Sequence, residues 1–372
     1  MNRRTFLTAS LASASFVRAV PSWAALTGES TSLLYASAFT KDNQHSFGLF
    51  NEQGNILWST NLPARAHGPV LHPVEAIVGI VARRPGFYID FYDIHQQTLV
   101  KRIEPTPEHH FYGHAIFTSD GQKLITQENH YPTGQGKVFI RAWPSGEVLQ
   151  SFHSNGIGPH ESVLLNEQTL VIANGGLKTH PDHDRDILNL DTMAPNATYL
   201  SLEDGAVRQQ ANFTQDLHQL SIRHLDVNPK GIVALGFQYQ GEPWESVPLV
   251  GVSNINSSTI EPLELPENIR MRFKQYCGSV RFDKSGEVLA ISTPRGGLVA
   301  YWHVASKKFL GIDNCTDVCG IAATENSHEF FLTSGNGKQL LCNPVTNTAL
   351  VVKKHAGYHW DNHLNLIANQ RT

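Results

Sequence analysis

Histidines recur at a regular interval along this chain of 372 residues. His67, His114 and His160 are 47 and 46 residues apart, and each precedes the apolar core of a strand by ten residues. His224 follows 64 residues later, and His359 lies a further 135 residues on, which is three intervals of 45. Because imidazole is the commonest metal ligand in proteins, the interval predicts a ring of ligands for a divalent or ferric ion.

A purely structural role for these histidines is the alternative, since repeat duplication would copy a histidine that bonds only within its own repeat. Each of these histidines precedes a core residue by three positions, as His114 precedes Phe117 and His224 precedes Val227. The loop histidine of WD-type repeats lies further from its strand. The short distance therefore favours a functional ring.

Polar residues also follow the second predicted strand in several repeats, and a long loop rich in His, Asp and Gly runs on to Asp191. Arginines beside glycine suit carboxylate or phosphate recognition, whereas each taken alone also fits a surface turn. His180 and His183 lie in that loop, for which a solvated acidic loop is the alternative. We expect these segments to share one rim, with ligand-binding candidates Arg83, Arg84, Glu128, Asn174, His180, Arg185, Arg223 and Arg295.

The motifs of the common enzyme classes are missing. The sequence holds no GxSxG elbow, HExxH helix, P-loop or paired CxxC, so no catalytic residue is predicted and a binding protein is favoured over an enzyme. Two alternatives stay open. A hydrolase or oxidoreductase with a histidine base would act on a small anion and would hold one histidine with Glu161 or Asp226. A protein-interaction scaffold without metal would present an apolar patch on the rim.

The scaffold that the pattern predicts is all-β. Short strands and tight turns repeat about every 45 residues, which is typical of a β-propeller with four strands in each blade. The count gives seven blades, in a WD40/YVTN-like ring. The last blade is completed by Tyr358 to Ile367 pairing with the amino-terminal strands, which closes the ring. We expect one domain over residues 25–372. A two-domain β protein is the alternative.

The amino terminus resembles an export signal. Arg3-Arg4 precedes an apolar run too short to span a bilayer, and Ser22-Trp23-Ala24 offers a cleavage site. Residues 1–24 therefore predict a twin-arginine signal peptide and a periplasmic protein without a membrane span. The net charge of −4 gives no support to nucleic-acid binding, and we expect a monomer. The four cysteines either stay free or pair, with Cys315 and Cys319 close enough in sequence to do so.

Seven segments carry a family resemblance that covers nearly the whole mature chain in order. They are FYGHAIFTSDG (Phe111 to Gly121), GIGPHE (Gly156 to Glu161), ANGGLKTHPD with DILNLDTMAP (Ala173 to Pro195), LSIRHL (Leu220 to Leu225), QYQG (Gln238 to Gly241), TPRGG (Thr293 to Gly297) and DVCGIA (Asp317 to Ala322). They resemble the marker segments of the bacterial family called domain of unknown function 1513. The resemblance implies an exported propeller-like protein. It also implies a genetic setting near imelysin-type periplasmic proteins and a di-haem thiol-oxidoreductase-like protein, which suggests iron acquisition.

These observations together predict a periplasmic seven-bladed propeller that binds a metal ion, most plausibly iron, or an iron-carrying partner of the imelysin type, at the mouth of its channel. The predicted metal ligands are His67, His114, His160, His224 and His359.

Overall fold

The structure is a computed structural model that describes residues 33–183 and 186–367. Within these residues 28 strands form seven sheets of four antiparallel strands each. The predicted signal peptide and Arg185 lie outside the described residues.

The strands are numbered in chain order. They are β1 (Leu34–Lys41), β2 (Gln44–Asn51), β3 (Ile56–Asn61), β4 (Ala66–Leu71), β5 (Ile77–Ala82), β6 (Ile89–Asp93), β7 (Thr98–Ile103), β8 (His109–Phe117), β9 (Lys123–His130), β10 (Gln135–Ala142), β11 (Val148–His153), β12 (Pro159–Asn166), β13 (Thr169–Asn174), β14 (Asn196–Ser201), β15 (Val207–Asn212), β16 (Leu220–Val227), β17 (Val233–Tyr239), β18 (Val250–Ser253), β19 (Glu261–Pro262), β20 (Ser279–Phe282), β21 (Val288–Thr293), β22 (Leu298–His303), β23 (Lys308–Asn314), β24 (Val318–Ala323), β25 (Phe330–Ser334), β26 (Lys338–Asn343), β27 (Thr348–Lys354) and β28 (Tyr358–Ile367).

Helical turns are few and short. The described residues contain one α-helix, Glu267–Arg272, and three 3₁₀ turns, Pro181–His183, Leu190–Thr192 and Gln215–Leu217.

The seven sheets are the blades of a β-propeller. Blades one to six are formed by β4–β7, β8–β11, β12–β15, β16–β19, β20–β23 and β24–β27. Blade seven joins the two ends of the described chain, because β28 pairs with β1, and β1–β3 complete the sheet. The innermost strands β4, β8, β12, β16, β20, β24 and β28 contact one another in turn around the channel. The prediction of a seven-bladed propeller closed by terminal strands is confirmed.

Most innermost strands are interrupted by a β-bulge. The pairing register shifts in β4, β8, β12, β16, β24 and β28, whereas β20 pairs with β21 without interruption. A bulge places extra residues opposite a shorter stretch of the partner strand, bends the strand and re-aims its side chains. The inner strands of six blades can therefore present side chains to the channel that a regular strand would direct elsewhere.

Aromatic side chains pack against one another within the closing blade. Trp360 of β28 is 2% exposed, and its ring centroid lies 5.2 Å from that of Phe39 and 5.0 Å from that of Phe50. These rings hold the carboxyl-terminal strand against the amino-terminal ones.

Replacement of Trp360 by alanine is expected to lower the free energy of unfolding by about 3–5 kcal/mol, because it opens a cavity at the ring closure. Trp244 is 77% exposed, so Trp244→Ala serves as the control, with an expected change of about 0.5 kcal/mol or less. Urea unfolding followed by circular dichroism measures both. Equal unfolding midpoints for the two variants would contradict a tightly packed closure.

Two further features bear on the sequence predictions. None of the helices in the described residues is long and apolar enough to cross a membrane. All four cysteines are buried and free, so Cys315 and Cys319 are not paired in this structure.

Candidate metal centre

Five buried imidazoles meet in the central channel. Each is 7% exposed or less, and nine of their pairwise ring-centroid distances lie between 4.4 and 6.1 Å. The five residues, called here the histidine ring, are His67, His114, His160, His224 and His363. They come from β4, β8, β12, β16 and β28, which are the inner strands of blades one to four and seven. Four of the five predicted ligands therefore lie together.

The bulges explain why these side chains converge. His67 lies between the shifted pairs of β4, and His160 lies between those of β12. In β8 the regular pairing is interrupted between Phe111 and Ala115, a stretch that includes His114. In β16 it is interrupted between Ile222 and His224. Each histidine therefore lies at the point where its strand leaves regular pairing and bends.

His359 does not belong to the ring. It is exposed at the start of β28, and its Nδ1 lies 2.6 Å from the carbonyl oxygen of Gly335. The bulge of β28 falls between Trp360 and Leu364, so His363 occupies the inward position instead. The seventh blade is thus shifted by four residues from the position that the 45-residue interval predicts.

A signal for His363 was present in the sequence. In each of the other four ring members an apolar residue stands three positions after the histidine: Val70, Phe117, Val163 and Val227. His363 fits this pattern through Leu366, whereas His359 is followed at the same distance by Asn362. The local pattern was therefore a better guide than the interval.

Carboxylate oxygens lie near the Nδ1 atoms of three members of the histidine ring. Glu161 lies between two of them, with Oε1 3.4 Å from Nδ1 of His114 and Oε2 3.0 Å from Nδ1 of His224. Asp361 has Oδ1 3.7 Å from Nδ1 of His67, which is too far for a hydrogen bond, and Nδ1 has no hydrogen-bond partner among the described residues. Arg65 binds the other oxygen of Asp361 at 2.6 Å. Because a carboxylate accepts hydrogen bonds, it favours the tautomer with the proton on Nδ1 and leaves the Nε2 lone pair for a ligand. The sequence considered Glu161 only for an enzyme and missed Asp361.

The inner nitrogens are placed to share an ion. Nε2 of His114 is buried and has no hydrogen-bond partner among the described residues, and the same holds for Nδ1 of His160. The Nε2 atoms of His67 and His363 lie 3.2 Å apart. Three groups have one donor atom per residue within 4.8 Å of the others: His67, His114 and His363; His67, His160 and His224; His114, Glu161 and His224.

The ring is electrically neutral at physiological pH. Burial lowers the pKa of His114 to about 4 despite the opposing Glu161 carboxylate, and burial together with Arg223 lowers the pKa of His224 to about 3. Burial also holds the pKa values of His67, His160 and His363 well below the usual 6.5. Neutral imidazole is the form that binds metal. The five side chains thus need no deprotonation at pH 7 before they coordinate an ion.

A cavity of about 400 Å³ lies against the ring, with His67, His160 and His224 among its lining residues. Four arginines form part of its wall. Arg83 and Arg84 follow the second strand of blade one, Arg295 follows the second strand of blade five, and Arg223 lies in β16. None of the described residues that line this cavity is an Asp or a Glu. The structure thus places four of the predicted rim residues at one cationic cavity.

The long loop of blade three borders the same cavity through apolar side chains. Leu177 and Ile187 contribute to the lining. His180 does not line the cavity, because its ring packs against Tyr131 at 5.3 Å between centroids and its Nδ1 accepts the backbone N–H of Asp182. The loop histidines are therefore apart from the histidine ring.

Two other predicted rim residues are buried inside their blades. Asn174 donates from its side-chain nitrogen to Ser154 and Asn196, both at 2.9 Å. Glu128 accepts from Arg141 at 2.7 Å and from the hydroxyl of Thr126 at 2.9 Å. Both lie in second strands, where alternate side chains point into the blade. Their contacts therefore stabilise the blade and do not line the cavity.

Glu128→Ala is expected to cost about 3–5 kcal/mol of unfolding free energy, because it leaves the Arg141 guanidinium charged and buried without its partner. Any metal that the histidine ring binds should be retained by the folded variant, since Glu128 lies outside the ring. Urea unfolding and elemental analysis check the two parts. Loss of metal without loss of stability would contradict the structural assignment.

The fold and this site define a class: a seven-bladed β-propeller whose channel holds five histidines under an arginine-lined cavity. The chain belongs to the family described as Protein of unknown function (DUF1513), which it matches over residues 60–367. Six of the seven segments on which the resemblance rests supply at least one residue to the ring or the cavity; DVCGIA is the exception.

Other comparisons bear on the fold alone. Among solved structures, a chain of "Crystal Structure of Mitotic Checkpoint Complex" is similar with a TM-score of 0.55 and 10% sequence identity, covering 75% of this chain and 73% of that one. A comparison with curated proteins finds no match.

Proposed function

We propose that the histidine ring binds a transition-metal ion in the propeller channel. The observation that carries this proposal is the convergence of five neutral, buried imidazoles from five different blades. A structural histidine bonded only within its own blade would have no reason to face four others. Burying polar nitrogens without hydrogen-bond partners is costly, and an ion would satisfy them.

The separation of the ring nitrogens supports this proposal. Two nitrogens bound at about 2.0–2.1 Å to a tetrahedral ion lie about 3.3 Å from each other. The Nε2 atoms of His67 and His363 are 3.2 Å apart. A hydrogen bond between the two rings gives a similar distance, so metal analysis is needed to decide between them.

Iron is the ion that we propose. Glu161 faces Nδ1 of His114 and of His224, so it orients these two imidazoles rather than completing a ligand set with them. The two all-histidine groups suit zinc or copper equally well. The family resemblance implies an iron-related setting, and we extend the proposal to a role in iron acquisition on that basis.

Elemental analysis of the purified protein tests metal binding. Wild-type protein loaded separately with Fe(II), Cu(II) and Zn(II) and then desalted is expected to retain about one equivalent of its preferred ion. The double variant His114→Ala, His160→Ala should retain little, since it removes a member from each of the three groups.

A matched control is available in the loop of blade three. The double variant His180→Ala, His183→Ala also removes two histidines, but neither lies in the ring, so it should retain metal like the wild type. Equal and negligible metal in wild-type and ring-variant protein would refute metal binding.

We further propose that the protein acts in the periplasm together with an imelysin-type partner. The twin-arginine sequence and the family resemblance support this. Phe87, Trp244 and Met271 are exposed and follow a second or a fourth strand, so they belong to the face that carries the cavity. Co-purification of a periplasmic partner with wild-type protein, reduced by Trp244→Ser, tests this proposal; equal recovery would count against that face.

An enzyme is the second candidate, because Glu161 contacts two histidines beside an arginine-lined cavity. A histidine oriented by a carboxylate is suited to act as a general base on a small anionic substrate. Turnover of such a compound by wild-type protein, lost in His224→Ala, would favour this candidate over a binding protein.

A further inference from the structure

Arg223 is a buried charge in the cavity wall. Its side chain is 8% exposed, and its Nε and Nη1 have no hydrogen-bond partner among the described residues. A guanidinium stays charged at neutral pH in proteins, so Arg223 is a buried cation. Burying a charge without an opposite charge is costly. The fold therefore maintains a desolvated cation that a ligand would neutralise.

The surrounding chain is shaped to keep Arg223 in this position. A Cβ atom added at Gly175 would lie 3.3 Å from Nη1 of Arg223 and 2.9 Å from the hydroxyl of Ser221. A larger residue at this position would press on the guanidinium. Gly175, the first residue after β13, thus leaves room for the cation.

The other arginines approach the cavity from different blades. Arg83 and Arg84 come from blade one, Arg223 from blade four and Arg295 from blade five. Arg295 is also held over the ring of Tyr276, with 4.4 Å between the guanidinium carbon and the ring centroid. A single small ion cannot bind cations placed on several sides of a cavity of about 400 Å³. An anion with several charged groups can.

We propose that this cavity binds a small polycarboxylate, with its carboxylates paired to the arginines. Guanidinium groups bind carboxylates through two parallel hydrogen bonds, which gives both affinity and orientation. The cavity is also lined by His67, His160 and His224. A polycarboxylate can therefore bind the arginines and direct one further oxygen to the metal; this last point, and only this one, rests on the proposed metal site.

Calorimetric titration of metal-free protein with citrate, in phosphate-free buffer at pH 7.5, tests the proposal. Wild-type protein is expected to bind citrate saturably. Arg223→Met should weaken binding by about 10- to 100-fold, because it removes a charge-assisted contact while keeping the length of the side chain. Arg223→Lys should recover only part of the affinity, since it keeps the charge and loses the planar fork.

Two controls keep the outcome interpretable. Arg208→Met removes an arginine on the exposed strand β15 and should bind citrate like the wild type. Without citrate, Arg223→Met should melt no lower than the wild type, because it removes a buried charge that has no partner. A lower melting temperature would show that the fold needs the guanidinium and would overturn the proposal.

Absence of saturable citrate binding, or equal affinity in Arg223→Met, would also overturn the proposal. Binding of inorganic phosphate with no binding of citrate would overturn the assignment to carboxylates. Since the titration uses metal-free protein, citrate binding by a protein that never retains metal would refute the metal proposal alone. Metal retention without citrate binding would refute the polycarboxylate alone.

Discussion

Glu161→Gln is expected to lower the affinity of the histidine ring for the proposed metal ion by about 10- to 100-fold, the usual effect of removing a carboxylate that orients histidine ligands. Glu161 lies within 3.0 Å of Nδ1 of His224 and 3.4 Å of Nδ1 of His114. Each of its two oxygens can accept a hydrogen bond from the Nδ1–H group of one ring. Glutamine offers one oxygen and one NH₂ group, so one imidazole must reverse its tautomer and protonate the nitrogen that faces the ion.

The measurement is a competition titration of metal-free wild-type and variant protein with a chelator of known affinity. Glu167→Gln is the matched control, because Glu167 is exposed at the turn of the same blade and bonds only the hydroxyl of Ser119 among the described residues. It should leave the affinity unchanged. Equal affinities in wild type and Glu161→Gln would show that the carboxylate neither binds the ion nor orients its ligands.

Acid should destabilise the metal-free protein strongly. Histidines of the unfolded chain bind protons below about pH 6.5, whereas the folded ring resists protonation because burial lowers its pKa values. The stability that these groups contribute is therefore fully present above pH 6.5 and is lost as the pH falls toward 4 and 3. His114 and His224 should each remove about 2 kcal/mol of unfolding free energy between pH 7.5 and pH 5.

Urea unfolding at the two pH values measures this loss. His114→Gln provides the comparison, because glutamine fills a similar volume and does not titrate. The difference in unfolding free energy between pH 7.5 and pH 5 should be smaller in this variant by about 2 kcal/mol. The same difference in both proteins would mean that His114 is protonated as easily in the folded ring as in the unfolded chain.

The fold was readable from the sequence because each blade repeats its own turn chemistry and strand pattern. The closing blade was also correct: Tyr358–Ile367 pairs with the strand that begins at Leu34. The number of blades depends on how often the strand pattern recurs, and a local irregularity in one strand does not alter that number. A shift of one or two residues within a blade does not change how many blades there are.

The site was readable only in part, because its geometry depends on those same irregularities. The bulges decide which residue of an inner strand faces the channel, and the interval of 45 residues does not reveal them. Counting intervals therefore selected His359, whereas the bulge of β28 brings in His363. Glu128 looked like a rim residue from its position after an apolar core, yet Arg141 on the neighbouring strand pairs with it inside the blade.

The arginines of the cavity, in contrast, could be grouped together from the sequence. Arg295 is distant in the chain from the adjacent Arg83 and Arg84, and each taken alone fits a surface turn. Their common position after a second strand was enough to place them on one rim, since the register of a propeller puts all such positions at the same end of the channel. The absence of acidic residues among the described lining residues could not be read from the sequence.

The most direct test of a metal site in the channel is anomalous X-ray diffraction from crystals of the metal-loaded protein, recorded above and below the absorption edge of the ion. We expect one peak inside the channel, within about 2.0–2.3 Å of nitrogens from at least three of the five histidines of the ring. A channel without a peak, or peaks only at surface histidines such as His180 and His183, would contradict it.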